Sequence, residues 1–277
     1  MLRQARSGST QANREFHEYL HTSGETNSQW IERAAMDMST AKAMANQKPD
    51  DWTYIALLGG SDTVSFRLRV AQSHLRRDML PSYWSDVILI EPQGASFSAA
   101  LTVHVPLSQP GGAAFPAREN GVIIRPLSDF DSVDNFPNIA LIALPVPHAE
   151  IAKRLETFKR ARSTLDALEH VLRWLAFAWG VTRTSNPLHE NYGIPSACML
   201  ETVFAAASFD LTPGLESRAS CPEAIWSAAK YWHDYFEKAT GKVPSGRFDH
   251  PHRYPIVEPK GPGRSSASAK KARAGKR

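Results

Sequence analysis

Three features of the sequence predict an α+β fold, with a small antiparallel sheet packed against helices and extra helices at both ends. Short apolar runs of strand character crowd the first half of the chain, while most of the helical patterns follow in the second half. Nineteen prolines and sixteen glycines break the chain too often for a helical bundle. Apolar residues make up 42% and charged residues 22% of the 277 residues, ordinary values for a chain that buries a core.

The elements follow in order. Met1–Asn27 is polar and is expected to be loosely structured. Ile31–Met44 carries good helix formers, and Pro49-Asp50-Asp51 ends that helix. Trp52–Leu58 reads as a first buried strand and Val64–His74 as a helix. Val87–Ile90 is a short buried strand. Phe97–Val105 is another, with Leu101, Val103 and Val105 alternating against Thr102 and His104. Gly121–Leu127 and Ile139–Val146 bring the sheet to about five strands. His148–Arg162 is helical. Ser163–Gly180 is the clearest helix, with Ser163 as N-cap, Asp166 in capping-box position and Gly180 as the stop. Ala197–Ser208 and Pro222–Ala239 are the last two helices. The organisation expected is an N-terminal polar or helical extension over 1–48, a domain over 49–241, and a Pro/Gly/Ser-rich basic tail over 242–277 expected to be disordered.

Charge and cysteine usage narrow the function. The net charge is +4, but Lys260–Arg277 holds seven Lys/Arg and no Asp/Glu, which leaves −3 on residues 1–259. A slightly acidic body argues against nucleic acid as the main ligand, and the tail allows only weak, sequence-blind contact. Two cysteines, Cys198 and Cys221, make no disulfide framework. The N-terminus lacks the apolar core of a signal peptide, and Val171–Val181 is too short to span a bilayer, so a cytoplasmic protein without a transmembrane segment is expected. No cofactor and no metal is expected. His250 and His252 with Asp249 are too sparse a ligand set, and Gly59-Gly60-Ser61 is too short for a phosphate loop.

One constellation points to chemistry. Cys198 stands just inside a helix that begins after Gly193-Ile194-Pro195-Ser196. The helix dipole and free backbone N–H groups there favour a thiolate, the form that attacks carbonyls. The competing reading is a small buried hydrophobe. Several segments occur in a telling order: Trp52–Gly60, Ser65–Ala71, Trp84-Ser85-Asp86-Val87-Ile88-Leu89-Ile90, Gly121–Leu127, Ser196–Ala205, Phe209-Asp210-Leu211 and Ser220–Trp226. Together they resemble the circularly permuted NlpC/P60 papain-like superfamily, which includes the YiiX-like and lecithin:retinol acyltransferase-like families. The resemblance spans about Trp52 to Trp226, with the histidine strand first and the cysteine helix last.

That resemblance implies a papain-like thiol hydrolase or acyltransferase acting on an amide, ester or thioester through Cys198. Its substrate would be a peptide, a protein or an acyl lipid. The family's base histidine follows Trp-Ser, and here Asp86 holds that place. A carboxylate of ordinary pKa about 3.9 is mismatched to a thiol near 8.5, and its charge raises the thiol pKa. Either another histidine serves or catalysis is lost. His104, on the next strand, is the leading substitute, in an Asp86–His104–Cys198 set where Asp86 orients the imidazole. Otherwise His104 is a half-exposed strand residue. His189 and His233 are weaker candidates, one on a loop and one in an aromatic helix. The alternative function is a catalytically inactive papain-like pseudoenzyme that serves as a protein-interaction module.

Overall fold

A computed structural model of the chain describes residues 21–40, 51–93, 96–110, 118–180, 183–238 and 256–257. The fold is α+β. Among the described residues six strands form one antiparallel sheet: β1 (Thr53–Gly59), β2 (Asp86–Gln93), β3 (Ser96–His104), β4 (Ile123–Pro126), β5 (Asn138–Leu144) and β6 (Ile256–Val257), in the order β4-β3-β2-β1-β5-β6. Every residue of β1 and β5 is buried, so both faces of the sheet are covered there. That is why Tyr-Ile-Ala-Leu-Leu and Ile-Ala-Leu-Ile-Ala-Leu read as continuous apolar runs rather than alternating ones.

Among the described residues six α-helices accompany the sheet: α1 (Asn27–Thr40), α2 (Thr63–Ala71), α3 (His148–Arg160), α4 (Ala167–Ala178), α5 (Pro195–Ala205) and α6 (Pro222–Lys238). Helix α1 packs against β3 and β5, and α5 against β2, with α3 and α4 against α5. The main core joins α1 residues Trp30 and Ile31 to the sheet and to Met199, Val203 and Phe204 of α5. A second cluster, built on Trp174, Leu68, Ile194 and Cys221, ties α2 and α4 to the start of α6. Among the described residues no helix is long and apolar enough to cross a membrane.

Several boundaries differ from the sequence reading. Helix α5 begins at Pro195, with Ile194 as N-cap, rather than at Ala197, so Cys198 is its fourth residue. Helix α4 starts at Ala167, not Ser163. Asp166 is the N-cap and accepts from the Leu168 N–H at 3.0 Å, so the carboxylate expected at the third helical position closes the helix end itself. Helix α1 begins four residues early, at Asn27, whose side chain donates to the carbonyls of Phe130 and Phe136 (2.9 and 3.1 Å) and pins the helix start to the sheet side. Within the tail, Ile256 and Val257 pair with Ile142 and Leu141 as a two-residue strand, because two β-branched residues meet an apolar sheet edge. The rest of the tail lies outside the described residues, as do His250 and His252.

Candidate functional site

Helix α5 packs against β2 and against the turn Ser217–Ala219, and its first residues decide the chemistry. Ser196 faces the sheet: its hydroxyl bridges the Val105 N–H (3.2 Å) and C=O (3.1 Å) and lies against the Asp86 carboxylate. In a helix, residues two apart point about 200° away from each other. With Ser196 turned to the sheet, Cys198 is turned away from it. The Cys198 thiol donates to the Arg218 carbonyl at 3.2 Å and stands 3.5 Å from the Ser220 carbonyl. It is fully buried. Burial pushes its pKa well up, and the neighbouring Cys221 thiol and Glu201 carboxylate add to the rise. The helix-start argument for a thiolate is therefore outweighed: desolvation disfavours the charge, and carbonyl acceptors stabilise S–H.

The enclosure is tight because of Gly193. Its N–H donates to Arg218 O (2.7 Å), the Ile194 N–H donates to Ser220 O (3.0 Å), and Trp174 Nε1 donates to Gly193 O (2.7 Å). A Cβ at Gly193 would overlap the Ser220 carbonyl and press on the Cys198 sulfur, so only glycine lets the two backbone segments close over the thiol.

Asp86 opens β2, opposite Leu58, and is half-buried. Burial pushes its pKa up to about 6, with the bonds from Ser196 and the Val87 N–H (2.8 Å) pulling the other way. His104 ends β3. It lies on the face opposite Val103 and Val105, as the alternation implies, but it is 1% exposed rather than half-exposed. Its ring packs edge-on against Phe130 at 5.5 Å, on the side where Asn27 of α1 holds the Phe130 carbonyl. Both ring nitrogens are buried without a hydrogen-bond partner, and burial, with help from the Arg125 charge, lowers its pKa to about 4.

The structure thus brings Asp86 to the start of α5 but does not join Asp86, His104 and Cys198 by hydrogen bonds. Each meets a different neighbour: Ser196, Phe130 and the Arg218 carbonyl. His189 lies exposed on the turn Pro187–Glu190 with its ring 4.9 Å from that of His74, and His233 lies on α6.

Two residues that the sequence analysis did not single out matter here. His170 is buried on the inner face of α4, between Ala167 and Trp174. Its Nε2 is 3.1 Å from the Arg218 carbonyl, the same oxygen that takes the Cys198 thiol, and its Nδ1 is 3.2 Å from Asp166 O. Burial lowers its pKa. The Arg218 carbonyl stands between thiol and imidazole, and a carbonyl accepts protons' hydrogen bonds but relays none. The α4 periodicity, with Ala167, Val171, Trp174 and Ala178 inward, is the signal that places His170 inside. The second residue is Met199. One helical turn after Ser196 it falls on the sheet-facing side of α5, fully buried, where a thioether neither ionises nor attacks.

Glu201, also buried, holds the next segment. It accepts from Thr212 Oγ1 at 2.6 Å and from the Leu211 and Thr212 N–H groups, and burial raises its pKa to about 6. Among the described residues no cluster of three or more His, Cys, Asp or Glu is arranged to hold a metal. Comparison with protein-family models, curated proteins and solved structures finds no match.

Proposed function

We propose that the chain is a papain-like fold in circularly permuted order that has lost thiol chemistry and works as a protein-interaction module. One observation carries this reading: the Cys198 thiol is buried on the side of α5 turned away from the sheet, hydrogen-bonded to the Arg218 carbonyl. A hydrolase or acyltransferase needs the sulfur ionised, within reach of a base and open to a carbonyl carbon. Here the sheet-facing places are held by Ser196, Met199 and Asp86. The permuted order is supported by the strand carrying Asp86 preceding the helix carrying Cys198, and by antiparallel pairing of β2 with its neighbours.

The test is alkylation of native protein by iodoacetamide from pH 5.5 to 9, read by mass spectrometry at Cys198 with Cys221 as internal reference. Burial pushes the Cys221 thiol up to about 12. Both cysteines are expected to stay protected through pH 8 and to react together only on unfolding. Selective alkylation of Cys198 below pH 7 would reverse the conclusion and restore the hydrolase reading.

A further inference from the structure

Of the fourteen exposed large apolar side chains among the described residues, six fall between Phe66 and Tyr83: Phe66, Val70, Leu75, Met79, Leu80 and Tyr83. Scattered surface hydrophobes are ordinary, but this density on α2 and the connection that follows it is not. Phe66 and Val70 are one turn apart on α2, and the connection is laid against that helix. Arg69 Nε donates to Ser82 O at 2.7 Å, and the Ser82 N–H donates to Arg69 O at 2.9 Å.

The outward display is built, not loose. Asp78 takes two bonds from Arg76 (2.9 and 2.6 Å) and one from the Leu80 N–H (3.1 Å). Arg76 also lies over the Tyr83 ring at 4.6 Å and 3.9 Å from Glu223 of α6, which anchors the connection to the body. Between these fixed points Met79 adopts a φ of +56°, a conformation unfavourable for its side chain. The result is that Met79 and Leu80 stand 64% and 58% exposed, side by side. The turn held by this bidentate ion pair keeps two apolar side chains in water, a fixed surface that a ligand can cover without first ordering it.

The charges beside it select the partner. Arg67 donates to the Ala178 carbonyl and Arg69 to Ser82, while Asp78 is neutralised by Arg76. Among the described residues of this surface, Arg77 is exposed and makes no ion pair. One cation at this surface is by itself too little for an anionic membrane, where each basic residue adds only about 1 kcal/mol. It does suit a peptide whose apolar side chains cover Met79 and Leu80 and whose carboxylate meets Arg77.

Resting on the interaction-module reading, we infer that the surface of Phe66, Val70, Met79 and Leu80 beside Arg77 docks a protein segment with apolar anchors and an acidic residue. The probe is a displayed library of random sixteen-residue peptides selected on the full chain, with affinities then measured by fluorescence anisotropy. Enriched peptides are expected to combine apolar residues with Asp or Glu. They should weaken at least tenfold on a Met79→Glu/Leu80→Glu variant and shift toward Lys-bearing sequences on Arg77→Glu. Circular dichroism checks that the variants fold. An empty selection, peptides indifferent to these variants, binding to phosphatidylserine vesicles at physiological salt that Met79→Glu/Leu80→Glu abolishes, or self-association abolished by Met79→Glu would each overturn the assignment. Selective Cys198 alkylation would overturn the inactive-fold reading while leaving the peptide result to stand on its own.

Discussion

Replacing His104 with leucine should stabilise the protein, and by more at low pH than at neutral pH. The ring is 1% exposed and neither nitrogen has a partner, so at neutral pH it buries unsatisfied polar atoms. Removing them is worth about 1–2 kcal/mol, with leucine filling the space against Phe130. The pH-dependent part follows from linkage. In the unfolded chain His104 titrates near 6.5, and in the fold near 4, because burial and then Arg125 disfavour the cation. Its folded pKa is depressed, so the unfolded state binds more protons. Stability is intact above pH 6.5 and falls as the pH drops toward 4. The full shift corresponds to about 3.4 kcal/mol, of which about 2.5 kcal/mol is lost between pH 7.5 and 4.5. Asp86 and Glu201 act in the opposite sense. Burial raises both to about 6, so the fold holds their protons more tightly and gains stability as the pH falls from 6 toward 4. The wild-type curve alone is therefore flattened, and the informative quantity is the difference between variant and wild type, in which the carboxylates cancel. Urea unfolding at pH 7.5, 6.0 and 4.5 measures it. The advantage of His104→Leu should grow from about 1–2 to about 4 kcal/mol across that range. A difference that stays constant with pH, or a variant less stable at pH 7.5, would refute the reasoning.

Three further substitutions test the packing around α5. Cys198→Ala should destabilise by about 1–2 kcal/mol through the small cavity and the lost thiol bond to Arg218, with peptide binding at Met79 and Leu80 unchanged. Gly193→Ala should cost more than about 3 kcal/mol, seen as a lowered urea midpoint, because its Cβ meets the Ser220 backbone rather than a side chain that can turn aside. Glu201→Ala should cost about 3 kcal/mol, since it takes the acceptor from two buried backbone N–H groups and leaves the Thr212 hydroxyl only Ser220 Oγ at 3.5 Å. It should also remove part of the stability gained between pH 6 and 4.5, which the same unfolding series would read.

The sheet was legible in the sequence because burial on both faces writes itself as unbroken apolar runs, and β1 and β5 are such runs. The start of α5 was legible to within two residues from Gly193-Ile194-Pro195-Ser196, of which Pro195 and Ser196 form its first turn rather than its lead-in. What could not be read there is the rotation of α5 about its own axis. Ser196 and Cys198 are both small side chains at a helix start, and local sequence gives no reason for one rather than the other to face the sheet. Tertiary contacts settle it: Val105 offers Ser196 a donor and an acceptor at once, while the backbone pairing of 193–194 with 218–220 leaves a pocket that fits a thiol. The same limit hid His170, whose inward placement follows from the α4 periodicity but whose approach to Arg218 joins segments 48 residues apart. His104 shows the reverse case. Its face was correct from strand alternation, but alternation says nothing of what covers that face, and Phe130 seals it. A motif with its residues in the right order thus fixes which helix lies near which strand. Whether a nucleophile meets a base depends on about 100° of helix rotation per residue. In this chain that rotation turns Ser196 and Met199 toward the sheet and Cys198 toward the Arg218 carbonyl.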